Sequence, residues 1–254
     1  MSDSRAGATA GEAGRLMGDE GSGCMDQDLP VVQLCVAGMQ AEAEGHPDEA
    51  LGFFQRAWDT ARDDYEACIA AHYLARHQSS PDETLRWNQE CLDRADLVGD
   101  ERVRGFYASL YVNMGQAHRD LGQLGSAHAY FTRAAARVAD APQGQYGDWN
   151  RFAIADGLRD TAAAAAADED AETAVRWGVD EVVDGPVREL FSRWCARGDL
   201  KALALTLPAY LGYLGTDEDR ERLRSALHMV HAARWLPEDE QAALGEVIGA
   251  AALR

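Results

Sequence analysis

Lysine is almost absent from this chain. Lys201 is the only one among 254 residues, and every other basic side chain is arginine, as genomic base-composition bias produces. Positive charge as a whole is scarce: 24 Lys and Arg stand against 43 Asp and Glu, for a formal charge of −19. Such a field repels nucleic acid and anionic membrane surfaces, so neither is an expected partner, and it weakly favours partners with basic patches. Proline is scarce too, with seven residues, and abundant alanine leans the chain towards helix. No stretch approaches the roughly 20 apolar residues of a membrane span, and no basic-then-apolar leader opens the sequence. The five cysteines, Cys24, Cys35, Cys68, Cys91 and Cys195, are odd in number and include no Cys-x-x-Cys pair. That is the usage of reduced, core-filling thiols, so the expectation is a soluble cytoplasmic protein. There is no Gly-x-Gly-x-x-Gly, Walker-type loop or Gly-x-Ser-x-Gly, and no strand-rich segment on which to build a dinucleotide fold. No catalytic residue and no cofactor are assigned.

What is present is a repeated helix opening. HPDEALGFFQRA begins at His46 and SPDETLRWNQEC at Ser80, thirty-four residues later. In each, proline falls at the first helical position, where its missing N–H costs nothing, and Asp-Glu follows at the positive end of the helix dipole. Ser80 and Glu83 have the spacing of a capping box. The same shift of thirty-four matches Ala37 with Ala71, Ala41 with Ala75, Leu51 with Leu85, Asp59 with Asp93 and Ala61 with Ala95. A third copy, YVNMGQAHRDLGQLGSAHAYFTRAAARVA, places Gly115, Gly122, Ala127, Phe131 and Ala134 where Gly38, Gly45, Ala50, Phe54 and Ala57 stand in the first. The small residues let two antiparallel helices approach closely, and Phe54 and Phe131 fill the seam to the next helix. The second copy departs at His72, Thr84, Asn88 and Cys91, and LVGDERVRG lengthens the spacing to the third (84 to 127, forty-three residues).

Over residues 31–140, and as far as 166, the pattern resembles the tetratricopeptide repeat family. The resemblance implies an all-α fold: a short helical solenoid of about three helix pairs, followed by a small helical C-terminal domain. The expected organisation is a disordered tail over 1–28, the repeat domain over 29–166, an acidic alanine-rich linker over 167–185 and a helical domain over 186–254. A start codon assigned upstream of Met25 accounts for the tail as well as a functional extension does. Residues 147–166 read as a capping helix. Beyond Pro186 the runs VRELFSRWCARG, DLKALALTLPAYLGYL, DEDRERLRSALHMVHAARW and PEDEQAALGEVIGAAAL follow, with Thr216 and Pro237 at helix starts. The second run is apolar almost all round, which predicts the central, most buried helix, with a kink or split at Pro208.

Because the first helix of each repeat lines the inner groove in that family, the resemblance implies a binding face of Met39 and Glu42, then Tyr73, Arg76 and His77, then Asn113, Gln116 and Arg119. Arg76 and Arg119 with Asn113 have the chemistry to hold a peptide carboxylate or acidic side chain. Other candidates have simpler readings. His228 and His231 are one turn apart but lack a third ligand on that helix. Asp168, Glu169 and Asp170 read as a solvated linker. Trp149, Trp177, Trp194 and Trp235 read as core or seam residues. The function expected is a non-enzymatic module binding a protein or peptide, with no metal and no small-molecule cofactor. The alternative is a sensor or regulator resembling repeat-containing bacterial peptide sensors, its repeats controlling the C-terminal unit. The chain carries no helix-turn-helix, and residues 186–254 hold nine basic against ten acidic residues, so a DNA-binding output is not indicated.

Overall fold

The computed structural model describes residues 28–168 and 179–250. The expected N-terminal tail and the middle of the expected linker lie outside these. Among the described residues the fold is all-α, with twelve α-helices and no strand. The chain divides into two compact units, Met1–Asn150 and Arg151–Arg254.

In the first unit, α1 (Pro30–Ala43) pairs with α2 (Pro47–Thr60), α3 (Asp64–Ala75) with α4 (Pro81–Val98), and α6 (Tyr107–Asp120) with α7 (Leu124–Ala136). The pairs pack in chain order, α2 on α3 and α4 on α6. The starts follow from local chemistry. Pro47 and Pro81 open their helices, with Asp48–Glu49 and Asp82–Glu83 in the first turns. Ser80 Oγ accepts the Glu83 N–H at 3.3 Å, but the Glu83 carboxylate is engaged by Arg86 at 3.0 Å. The expected box is therefore half formed. Asp63 caps α3 by accepting the Glu66 N–H at 2.9 Å. The nine extra residues are used locally: α4 runs on to Val98, Gly99 ends it in the left-handed conformation, and α5 (Glu101–Arg104) adds one turn.

The first and third copies repeat in hydrogen-bond detail. Gly45 and Gly122 both have positive φ, 83° and 71°. The N–H of Gly45 donates to Glu42 and that of His46 to Ala41; Gly122 donates to Arg119 and Gln123 to His118. A left-handed residue here lets the chain reverse and satisfies the last helical carbonyls. The second copy has Ser79 in place of glycine, and its turn closes differently, with Arg76 and His77 donating to Tyr73 and Leu74. Inside the pairs, Ala50, Phe54, Ala57, Ala127, Phe131 and Ala134 are all fully buried. A Cβ at Gly38 would lie 2.3 Å from Phe54 Cε1, and one at Gly115 2.8 Å from Phe131 Cε1. Each phenylalanine ring thus occupies the space that a side chain opposite would need.

The helix α8 (Gln145–Asp168) contains the division between the units at 150/151, whereas the sequence reading kept residues to 166 with the repeats. Arg151 donates to the Gly212 carbonyl at 2.8 Å and pairs with the buried Asp219. Asp219 also accepts from Leu214 N–H at 3.0 Å and Thr216 Oγ1 at 2.7 Å, and a full capping box at the start of α11 (Asp217–Ala233) is closed by the Thr216 N–H donating to Asp219 at 3.2 Å and the Asp219 N–H donating to Thr216 Oγ1 at 3.1 Å.

The other second-unit helices are α9 (Glu181–Arg197), α10 (Leu200–Leu211) and α12 (Glu238–Gly249). Here α10 packs on α11, α9 on α12, α9 on α10 and α11 on α12. Two expectations are corrected. Pro186 does not open the unit: Asp180 caps α9 through the Val182 N–H at 2.9 Å, and Pro186 lies inside the helix. The run 199–214 has the largest buried share of this unit's helical runs, as expected, but it is not split at Pro208. α10 is continuous through Pro208, and it turns Ala202, Leu203, Thr206, Ala209 and Tyr210 inward while Leu200 is 73% exposed. Uniform hydrophobicity cannot say which face is covered. Trp194 is fully buried with Leu190, Leu223, Leu227 and Leu244. Its Nε1–H donates at 2.9 Å to Glu240, which Arg197 neutralises at 2.5 Å. Among the described residues no helix is long and apolar enough to cross a membrane.

Candidate functional site

The first helices α1, α3 and α6 carry six of the eight residues of the expected binding face, and Arg76 and His77 lie at the C-terminal cap and turn of α3. Four of them come together. Arg76 donates to both carboxylate oxygens of Glu42, at 3.1 and 3.3 Å, and His77 Nε2 lies 3.6 Å from Glu42. Glu42 and Arg76 are one thirty-four-residue period apart, so these equivalent positions of the first two repeats stand side by side. The Arg76 guanidinium sits 5.9 Å from the Tyr73 ring centroid, an aromatic face that attracts cations.

Tyr73 is only 3% exposed and stacks on Phe54 at 5.2 Å with 14° between the rings. It is a packing residue, not the open contact that its sequence position implied. The burial pattern explains this: ten of the twelve residues of α3 are buried, so α3 has little free face to give. His77 also packs on Phe54, at 4.9 Å, and its Nε2 is buried without a hydrogen-bond partner. Burial lowers its pKa, and the Glu42 carboxylate opposes that shift. Met39 is half-buried against the core of α1–α4. On α6, Asn113, Gln116 and Arg119 are half-buried, and the Asn113 carbonyl accepts from Asn88 Nδ2 at 3.4 Å.

Two further features were not singled out as sites in the sequence. A polar cleft of about 450 Å³ is lined by Asp96, Arg104, Tyr107 and Arg137 among others. Its groups are engaged with one another: Tyr107 donates to Asp96 at 2.8 Å, Arg104 pairs with Glu101 at 2.6 Å and Arg137 with Asp140 at 2.9 Å. The second is a small apolar cavity of about 30 Å³ lined by Cys68, His72, Tyr73, Cys91, Ser109 and Tyr146 with three apolar neighbours. The departures at His72 and Cys91 were its signal in the sequence. Both residues stand where the other two copies have glycine and alanine.

The remaining candidates resolve individually. His228 is exposed and His231 half-buried, and among the described residues no group of three or more His, Cys, Asp or Glu is placed to hold a metal ion. Trp194 is core. Trp235 donates to Asp199 at 3.1 Å beneath Lys201, and Trp149 stacks on Tyr146 at 6.2 Å while 46% exposed. Trp177 and the side chains of Asp168, Glu169 and Asp170 lie outside the described residues. No protein-family model, no curated protein and no solved structure matches this chain.

Proposed function

We propose that the first unit is a cytoplasmic protein- or peptide-binding module of the tetratricopeptide type, without catalytic activity, that receives an extended acidic segment along α1, α3 and α6. The observation that carries this reading is the Glu42–Arg76 pair. Glu42 and Arg76, one repeat apart, lie within hydrogen-bonding distance, and the repeat spacing puts Arg119 at the next equivalent position of the row. A rigid row lowers the ordering entropy that binding must overcome. Arg76 and Arg119 would bind carboxylates by charge-assisted hydrogen bonds, with Asn113 and Gln116 as polar neighbours. Met39 and the Phe54-backed His77 supply an apolar border. Tyr73 supports Arg76 from below. The location is supported by the cysteines: Cys35, Cys68, Cys91 and Cys195 are all free thiols.

Because Glu42 competes for Arg76, it sets a threshold that a ligand carboxylate must overcome. Peptides selected by display on the full chain would be measured by fluorescence anisotropy. Arg76→Glu and Arg119→Glu should each weaken binding at least tenfold, and Glu42→Gln should tighten it. If selected peptides bind all three variants as they bind the original chain, the face is wrongly assigned.

A further inference from the structure

The second repeat differs from its neighbours where α3 meets α4. Where the first and third copies set glycine against phenylalanine, this one has His72 and Asn88, and Cys91 replaces the alanine found at 57 and 134. Cys91 Sγ lies 3.7 Å from Cys68 Sγ and 3.2 Å from the Cys68 carbonyl oxygen, to which its S–H donates. Both sulfurs are buried, at 0% and 1% exposure, and both line the apolar cavity of about 30 Å³. That volume is space for roughly one or two water-sized molecules.

We propose that Cys68 and Cys91 form a dithiol that a small peroxide oxidises to an intramolecular disulfide across the α3/α4 hairpin. The sulfurs must close from 3.7 Å to about 2.0 Å. Side-chain rotation into the cavity they share supplies the room. The oxidant is a hydroperoxide as small as hydrogen peroxide. The Cys68 sulfur attacks one peroxide oxygen and the O–O bond breaks. The thiol proton leaves with the departing hydroxide as water, and Cys68 becomes a sulfenic acid. The Cys91 sulfur then attacks the Cys68 sulfur. The S–S bond forms, the S–O bond breaks, and the hydroxyl departs with the Cys91 proton as a second water. In total two electrons pass from the two sulfurs to the peroxide, which ends as two waters.

The order follows from the surroundings. The Cys91 S–H is held by the Cys68 carbonyl oxygen at 3.2 Å, so Cys91 keeps its proton and acts second. Burial also selects the oxidant. Glutathione disulfide or a protein disulfide is too large to reach the buried Cys68 and Cys91 sulfurs, whereas exposed Cys195 is open to either.

The test uses the full chain under native conditions. Samples are treated with hydrogen peroxide or with oxidised glutathione, then unfolded, alkylated and mapped by mass spectrometry. Peroxide should yield a Cys68–Cys91-linked peptide two hydrogens lighter than the sum of its thiol forms. Oxidised glutathione should modify Cys195 and leave Cys68 and Cys91 as thiols. Cys91→Ala restores the residue of the other two copies and is compatible with the hairpin. It should abolish the link and leave oxygen on Cys68 after peroxide. Recovery of Cys68 and Cys91 as thiols while Cys195 is oxidised by peroxide would overturn the proposal. So would cross-linking of either residue to another cysteine, or equal cross-linking by glutathione disulfide.

Discussion

Replacing Gly38 with alanine tests the packing of the repeats directly. The new Cβ would stand 2.3, 2.7 and 2.8 Å from three atoms of the Phe54 ring, where contact between carbons requires about 3.5–4.0 Å. The ring would have to retreat by about 1 Å. It is fully buried and bounded by Tyr73 at 5.2 Å and His77 at 4.9 Å, so no open direction exists. Overpacking of this kind costs about 1–3 kcal/mol. Alanine returns about 1 kcal/mol of helix propensity. The net expectation is a loss of about 1–2 kcal/mol at Gly38. At Gly115, where the three closest ring atoms lie at 2.8 to 3.0 Å, the loss should be smaller, about 0–1 kcal/mol. Gly52 supplies the opposite sign. It is exposed inside α2 with no atom within 4 Å of its Cβ position, so Gly52→Ala should stabilise by about 0.5–1 kcal/mol. Urea unfolding followed by far-UV circular dichroism gives the ranking, and amide exchange in α1 and α2 locates the loss. Combining Gly38→Ala with Phe54→Leu should cost less than the sum of the two singles, because the smaller side chain removes the collision. Strict additivity, or a Gly38→Ala variant as stable as Gly52→Ala, refutes the argument.

Two other perturbations have a definite sign. Burial, reinforced by the charge of Arg76, lowers the His72 pKa from an ordinary 6.5 to about 4. The unfolded chain therefore binds the proton more tightly than the folded one. This stability is complete above about pH 6.5 and declines as the pH falls through about 4. The loss is on the order of 3 kcal/mol at its end. His72→Leu should remove that part of the slope, and urea midpoints at pH 7 and pH 4.5 that shift equally in both proteins would contradict it. In the second unit, Asp219→Asn leaves the Arg151 guanidinium beside a neutral group at a buried site, at an expected cost of about 3–5 kcal/mol. Thermal unfolding should report this, and a change under 1 kcal/mol would mean that water already reaches the pair.

The candidate site was only partly legible. The period placed Glu42 and Arg76 on equivalent positions, and the structure shows them bonded to each other, which leaves Arg76 less available than a count of charges suggests. Tyr73 was misread because position along a helix does not reveal how much of that helix is covered, and α3 is covered nearly all round. The Cys68–Cys91 approach was not legible at all. Twenty-three residues separate the two, and only the packing of α3 on α4 brings sulfur to sulfur.

The sequence by itself determined the helical class, the helix starts at Pro47, Pro81 and Thr216, the turn glycines at 45 and 122, and the small residues shared by the first and third copies. Each of these rests on interactions within a few residues or on complementary volumes repeated in register, so the pattern survives in one dimension. The tertiary structure alone decided which face of α10 is covered, and that Trp194 reaches Glu240 on α12. It alone showed that α9 begins at its Asp180 cap and runs through Pro186, and that Arg151 reaches Asp219. These depend on which face of an apolar helix meets another and on which distant charge fills a buried site. Hydrophobicity and spacing are degenerate with respect to both, and only close packing in three dimensions selects among the possibilities.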